Sequence, residues 1–183
     1  LPAPAPEDAA LIGLLEEMGV VRGVDAHSMP IVDEGCLVRE PDERLYYRGY
    51  WYQGLYPGAG ESAWEAAEHA RFEAEMLAFA RRRDAGGRRA FAIPIDASAQ
   101  DAELLALDRV TAAAWLASRG YRSRRLHWFC DYACRDDFGL TLAQTSAWAL
   151  VHYFASRIHA PQTSESGDLI TWPDGNFALV KHL

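Results

Sequence analysis

Leu126 to Arg157 read LHWFCDYACRDDFGLTLAQTSAWALVHYFASR. Leu126, Phe129, Cys130 and Ala133 fall at i, i+3, i+4 and i+7, the spacing of one helical face, so a helix is expected over 123–135. Asp131 precedes Arg135 by four residues, the favourable order for a helix ion pair. Gly139 ends that helix, and Thr141 is the expected N-cap of a second helix running to about Arg157. The second helix carries no Asp, Glu, Lys or Arg between Asp137 and Arg157. Ala143, Ala147, Leu150, Val151 and Phe154 form one face, and a helix without a charged face is covered on most sides. Its length approaches that of a membrane span. Gln144, Thr145, Ser146, His152 and Tyr153 interrupt it with groups that hydrocarbon does not tolerate. The expectation is a central helix of a soluble protein and no membrane span.

Outward from this pair, the 183 residues suit one domain over 1–183, and with half of them hydrophobic a sizeable core is affordable. The net charge of −8 argues against a general nucleic-acid binder, which carries a basic balance. Arg81, Arg82, Arg83, Arg88 and Arg89 cluster, and a solvated helix end accounts for them. Three cysteines at scattered spacing make no disulfide framework; a reducing, cytoplasmic compartment is the default. The chain opens LPAPAP and closes KHL, and both ends read as cuts in a longer polypeptide.

In chain order, 7–18 is an amphipathic helix with Leu11, Leu14, Leu15 and Met18 inward, closed by Gly19. Val20 to Pro30 is a connection of mixed character. Ile31 to Tyr56 reads as an antiparallel meander. Its runs are Cys36-Leu37-Val38, Leu45-Tyr46-Tyr47 and Tyr50-Trp51-Tyr52, with turns at Pro41-Asp42-Glu43 and Arg48-Gly49. Tyr47 and Trp51 are candidates to wall a substrate pocket, since such rings join an apolar face to a polar tip; a half-buried sheet face accounts for them as well. Ser62 with Glu65 is a capping box opening the longest helix, to about Arg83, with Trp64, Ala67, Phe72, Met76 and Phe79 inward. A loop at Gly86-Gly87, a short strand over 89–95, a helical turn or two over 101–107 and a Thr111-capped helix closed by Gly120 follow. Beyond the central pair come a polar loop over 161–167, a strand over 168–172, a turn at Pro173-Asp174-Gly175-Asn176 and a closing helix. The fold class is α+β: helix-rich, with a small antiparallel sheet.

Three groups of residues bear on chemistry. Gly58-Ala59-Gly60-Glu61-Ser62-Ala63 fits the G-x-G-x-x-A dinucleotide pattern. The preceding stretch, with Arg48, Gly49 and Gln53, is no buried parallel strand, and Glu61 would oppose phosphate. A helix-capping loop accounts for the same residues. His127, Cys130 and Cys134 lie on one side of one helix and are zinc-type ligands; no fourth is indicated, and a buried cysteine also behaves as a small hydrophobe. Asp131, Tyr132, Arg135, Asp136, Asp137, His152 and Tyr153 form either an acid–base site, with His152 the tunable group, or a hydrogen-bonded knot between the two helices.

The blocks Trp115-Leu116 … Gly120-Tyr121, WFCDYACRDDFG (128–139), TSAWALVHYFASR (145–157) and LITWPDGN (169–176) resemble the middle portion of bacterial FAD-dependent oxidoreductases related to the flavin amine oxidases. That branch shows W-Y-x-D-Y-A-C-R-D-D-Y-G-like, T-S-A-W-A-x-x-H-Y-F-A-S-R-like and T-W-P-E-G-N-like runs. The helix ending Glu17-Met18-Gly19-Val20 is similar to one that follows the first flavin-binding segment of such enzymes. Phe129 and Phe138 stand where the pattern has Tyr. The resemblance implies that this chain is the substrate domain of a two-domain flavoprotein oxidoreductase. FAD would be held mainly by a partner domain outside this sequence, and 169–183 would return toward it. It also implies Trp172, Gly175 and Asn176 near the cofactor, and a small-molecule substrate pocket drawing on Tyr47, Trp51, Asp131, Tyr132, Arg135, Trp148 and His152. Two alternatives remain open: a stand-alone ligand- or partner-binding α+β domain without catalysis, and a metal site at His127, Cys130 and Cys134.

Overall fold

The computed structural model describes residues 3–4, 6, 8–38, 44–158 and 169–183. The turn expected at Pro41-Asp42-Glu43 and the loop expected over 161–167 lie outside them. The fold is α+β, with seven α-helices and two separate two-stranded antiparallel sheets among the described residues. The residues gather into two compact units, 1–41 with 159–183, and 42–158.

In the first unit, helix α1 (Ala9–Glu17) is capped by Asp8, whose side chain accepts the Leu11 N–H, and buries Leu15. Gly19 follows at φ +71°, the left-handed stop expected of it. The next residues are not a mere connection. Strand β1 (Val21–Val24) pairs with β2 (Pro30–Val32). The loop between them closes on Asp25, whose Oδ1 accepts the N–H groups of His27 and Met29 at 2.7 and 2.9 Å. Cys36 does not open a strand either. Asp33 starts a 3-10 turn over Glu34–Cys36 by accepting the Gly35 N–H. Beyond it, Val38 N–H donates to Leu169 O at 2.7 Å and Thr171 N–H to Cys36 O at 2.8 Å. Helix α7 (Phe177–His182) closes the unit. Leu15, Val20, Val21, Val32, Ile170 and Trp172 form its core.

In the second unit, β3 (Arg44–Tyr47) and β4 (Tyr50–Gln53) make a hairpin across Arg48-Gly49. The meander expected over 31–56 is therefore corrected: its two halves belong to two separate sheets. Helix α2 (Ala63–Arg81) opens with the Ser62–Glu65 capping box and buries Phe72 and Met76, while Trp64 faces solvent. The strand expected over 89–95 does not form. Ala90, Phe91 and Ala92 are fully buried, but their polar backbone is served by Arg82 O and by Ser98 Oγ rather than by a neighbouring strand. Short helix α3 (Ala102–Leu105) is followed by α4 (Ala112–Ser118), capped by Thr111. Helix α5 (Arg124–Phe138) is capped by Ser123 and ends at Gly139, φ +65°.

Helix α6 (Ala147–Ala155) begins at the cap Ser146, not at Thr141. Of the four residues between them, Leu142 and Thr145 pair with the chain entering α4 instead. Ala112 N–H donates to Thr145 O, Ala113 N–H to Leu142 O and Ala147 N–H to Val110 O. Once those carbonyls and amides are engaged across the chain they cannot join a helical ladder. The centrality expected of the uncharged stretch is observed: Ala147, Leu150, Val151, His152 and Ala155 are buried. No described helix is long and apolar enough to cross a membrane.

Candidate functional site

The chemistry-bearing residues of α5 and α6 are drawn into local structure one by one. Asp131 Oδ2 accepts from Arg135 Nε at 2.7 Å, and Oδ1 accepts the Leu142 N–H at 2.9 Å. Partial burial would raise this carboxyl. The Arg135 hydrogen bond, the Leu142 N–H and the Arg135 charge together outweigh it and hold it below the ordinary range. Asp137 pairs with Arg157 at 2.7 Å, joining the last turn of α5 to the chain just after α6. Tyr153 lies under the Arg157 guanidinium, 4.4 Å from ring centre to Cζ, and burial pushes its phenol up to about 12.

His152 is 9% exposed, and its Nε2 sits 2.8 Å from Ala92 O. A carbonyl partner makes Nε2 the protonated nitrogen of the neutral ring. Burial lowers the imidazole pKa; the Ala92 bond opposes this without cancelling it. Trp148 stacks on His152 at 4.9 Å and 17°, with Phe91 5.4 Å from Trp148. The Trp148 Nε1 is buried without a hydrogen-bond partner. Within the expected set, Asp131 thus pairs along its own helix, Asp137 reaches Arg157, and His152 reaches the 90–92 segment.

The other expected residues make contacts of their own. Trp51 is 66% exposed on β4, 5.2 Å from Tyr46. Tyr47 has the Arg48 guanidinium over its ring. Tyr132 stacks under Trp128. In the other unit Trp172 is 9% exposed and belongs to the core. Gly175 holds φ +69° in the turn closed by its N–H to Trp172 O at 2.8 Å. Asn176 precedes α7 without a side-chain capping bond.

The G-x-G-x-x-A stretch is a helix-capping loop. Glu65 accepts from Ser62 N–H and Oγ at 2.9 and 2.8 Å, so the start of α2 is occupied by its own carboxylate. Arg125 holds the loop through the carbonyls of Pro57 and Gly60. Cys130 and Cys134 are fully buried, and burial pushes both thiols up. His127 Nε2 faces Tyr121 O at 3.1 Å. Among the described residues, no three His, Cys, Asp or Glu side chains are placed to hold a metal ion.

Two features escape the sequence reading. Arg89, grouped there with a solvated helix end, is 4% exposed. Its Nη2 donates to the carbonyls of Ala155, Ser156 and Ile158 at 3.2, 3.2 and 2.9 Å, closing the C-terminal end of α6. Arg82 and Arg88 do pair at the surface, with Glu103 and Asp84. The second feature is an open depression of ≈ 410 Å³ lined by Arg122, Arg124, His127, Trp128, Asp131 and Leu142. Of these, the sequence reading had singled out Asp131 and His127. The signal it passed over is the basic run at the opening of α5, where the positive helix end disfavours cations.

No family model, curated protein or solved structure matches the chain.

Proposed function

We propose that this chain is the substrate-side portion of an FAD-dependent oxidoreductase related to the flavin amine oxidases. The observation that carries the reading is the order and length of the blocks at 128–139, 145–157 and 169–176. They are rich in Trp, Cys, His and Tyr, so chance accounts poorly for three in sequence. The turn at 173–176 is compatible with a nearby flat ring: Pro173, Asp174, Gly175 and Asn176 are exposed, and a Cβ built on Gly175 meets nothing within 4 Å. In this reading Gly175 and Asn176 lie beside the flavin, and Trp172, sunk in the core of its unit, fixes the turn. The bound flavin would accept the hydride and so supply the redox chemistry. The chain would supply shape, desolvation and fixed charge. Asp131 and His152 hold other parts of the protein in place, so their contribution is to the rigidity of the substrate side.

That engagement of the polar groups also favours a second reading, an α+β binding domain that catalyses nothing. One measurement separates the two. The protein encoded by the full reading frame containing this segment is purified and its visible absorption recorded, before and after denaturing extraction. The flavoprotein reading expects a yellow protein releasing one flavin per chain. A colourless protein that takes up no added FAD overturns it.

A further inference from the structure

We propose that the depression at the opening of α5 binds a small oxyanion carried on a flat ring. Arg122 and Arg124 both line it, both are exposed, and neither guanidinium has a polar partner among the described residues. Their neighbour Arg125 behaves differently: it is engaged with Glu65, Pro57 and Gly60. The backbone that carries the two arginines is fixed. Glu68 accepts the Arg122 N–H at 3.0 and 2.9 Å and the Ser123 N–H at 2.6 Å, and Ser123 caps the helix on which Arg124 is the first residue. Arg122 and Arg124 sit at the opening of a fifteen-residue helix, beside backbone N–H groups that already meet the Glu68 carboxylate. The planar donor fork of arginine suits phosphate and carboxylate alike.

The ring half of the proposal comes from Trp128, one turn along the same face. It is 45% exposed, and its indole is backed by Tyr132 at 5.9 Å and 21°, so a rigid flat surface faces the depression. His127 also lines the depression, its Nε2 engaged by Tyr121 O. Asp131, the one carboxylate in the lining, already accepts from Arg135 and from Leu142 N–H, which leaves the site cationic in balance. The proposal does not rest on the flavoprotein reading and survives its failure.

The test is calorimetric titration of this protein with phenyl phosphate, benzoate and inorganic phosphate at low ionic strength. Saturable one-to-one binding of phenyl phosphate is expected, weakening with added salt. R122Q and R124Q should each weaken it about tenfold or more, the worth of one charge-assisted contact. W128A should weaken phenyl phosphate by a similar factor and leave inorganic phosphate unchanged, whereas W128F retains most of the binding. R81Q, which removes an exposed arginine outside the lining, should change nothing. Tighter binding of phenyl phosphate than benzoate identifies phosphate as the preferred group, and the reverse order a carboxylate. Absence of saturable binding overturns the proposal. So does binding that R122Q and R124Q leave intact, or that R81Q weakens equally. Equal loss of both phosphates in W128A overturns the ring half.

Discussion

Two basic regions of the larger unit use the same residue type in opposite ways. At the end of α6, Arg89 is buried and donates to three backbone carbonyls, and nearby His152 is buried and held to Ala92. At the start of α5, Arg122 and Arg124 are exposed, line a depression and donate to nothing described. The first region is explained by the fold. The second is tolerated by the fold and explained by nothing within it. Binding roles are best sought in the second kind of place, where a charged group is left open to solvent beside a depression.

The comparison breaks most sharply at Arg89. R89M keeps the aliphatic stem and leaves the carbonyls of Ala155, Ser156 and Ile158 without their cation. A loss of about 3 kcal/mol or more is expected, since hydrogen bonds to charged groups contribute roughly 1.5–3 kcal/mol each and the group also sits at a helix C-terminus. Urea unfolding measures it. A change below about 1 kcal/mol would mean that the clamp is incidental. R89K should recover only part of the loss, because a compact ammonium cannot reproduce the planar fork.

His152 comes next, and pH reads it. Its folded-state pKa is depressed, mainly by burial, so the unfolded chain binds the proton more readily. Stability at this site is therefore intact above the unfolded value near 6.5. It declines as pH falls below that value, levelling off only beneath the folded pKa. Unfolding free energies from pH 7.5 down to 5 should fall, and H152Q should flatten that slope. H152L should also lose about 1–2 kcal/mol at neutral pH by abandoning the Ala92 carbonyl. A wild-type curve with no slope between pH 7 and 5 would contradict the buried neutral ring.

Why sequence reasoning separated these regions incompletely can be argued from the same residues. Helix ends were legible because caps are local. Ser62 with Glu65, Thr111 and Gly139 act within four residues of themselves, and these three were read correctly, while Ser123 was taken as the first helical residue rather than the cap. The 147–155 part of the uncharged stretch was legible as central because absence of charge is itself a burial signal, though Phe138 and Leu140, in the same uncharged run, are exposed. Its start was misplaced because the backbone of Leu142 and Thr145 bonds to Ala113 and Ala112, a pairing some thirty residues distant that no local pattern carries. Arg89 was misread for the same reason: its partners lie beyond residue 154. Val20 to Pro30 was missed as β structure because Gly23 and the Asp25 loop mask a short pairing. The expected pocket residues have different surroundings, which spacing along the chain does not carry: Trp51 stands out on a hairpin, Asp131 is tied to the 142 loop, and His152 is buried against Ala92.

Asp131 lies between the two kinds of region, since it lines the depression yet is engaged by the fold. D131A removes the acceptor of the partly buried Leu142 N–H and the partner of Arg135. A loss of about 1–2 kcal/mol is expected from the orphaned donor, the exposed ion pair adding little. The folded-state pKa is lowered, so this contribution is full above the unfolded value near 3.9 and disappears as pH falls through the folded one. Urea midpoints for wild type and D131A should therefore converge in acid. If they stay equally far apart at low pH, packing rather than charge is what Asp131 supplies.

The smallest effect is the most telling for the comparison. R124Q removes a cation from the first residue of α5, where the helix end is already positive and no side-chain partner is lost. Stability should hold or rise by about 0.3–0.5 kcal/mol, and the gain should shrink with salt. Loss of more than about 1 kcal/mol would instead place Arg124 among the residues that hold the fold together, beside Arg89, and would remove the contrast from which the anion site was inferred. A small gain leaves Arg124 as a residue the folded chain carries at its own expense. Such a residue needs a reason outside the chain, and an anion seated against Trp128 supplies one.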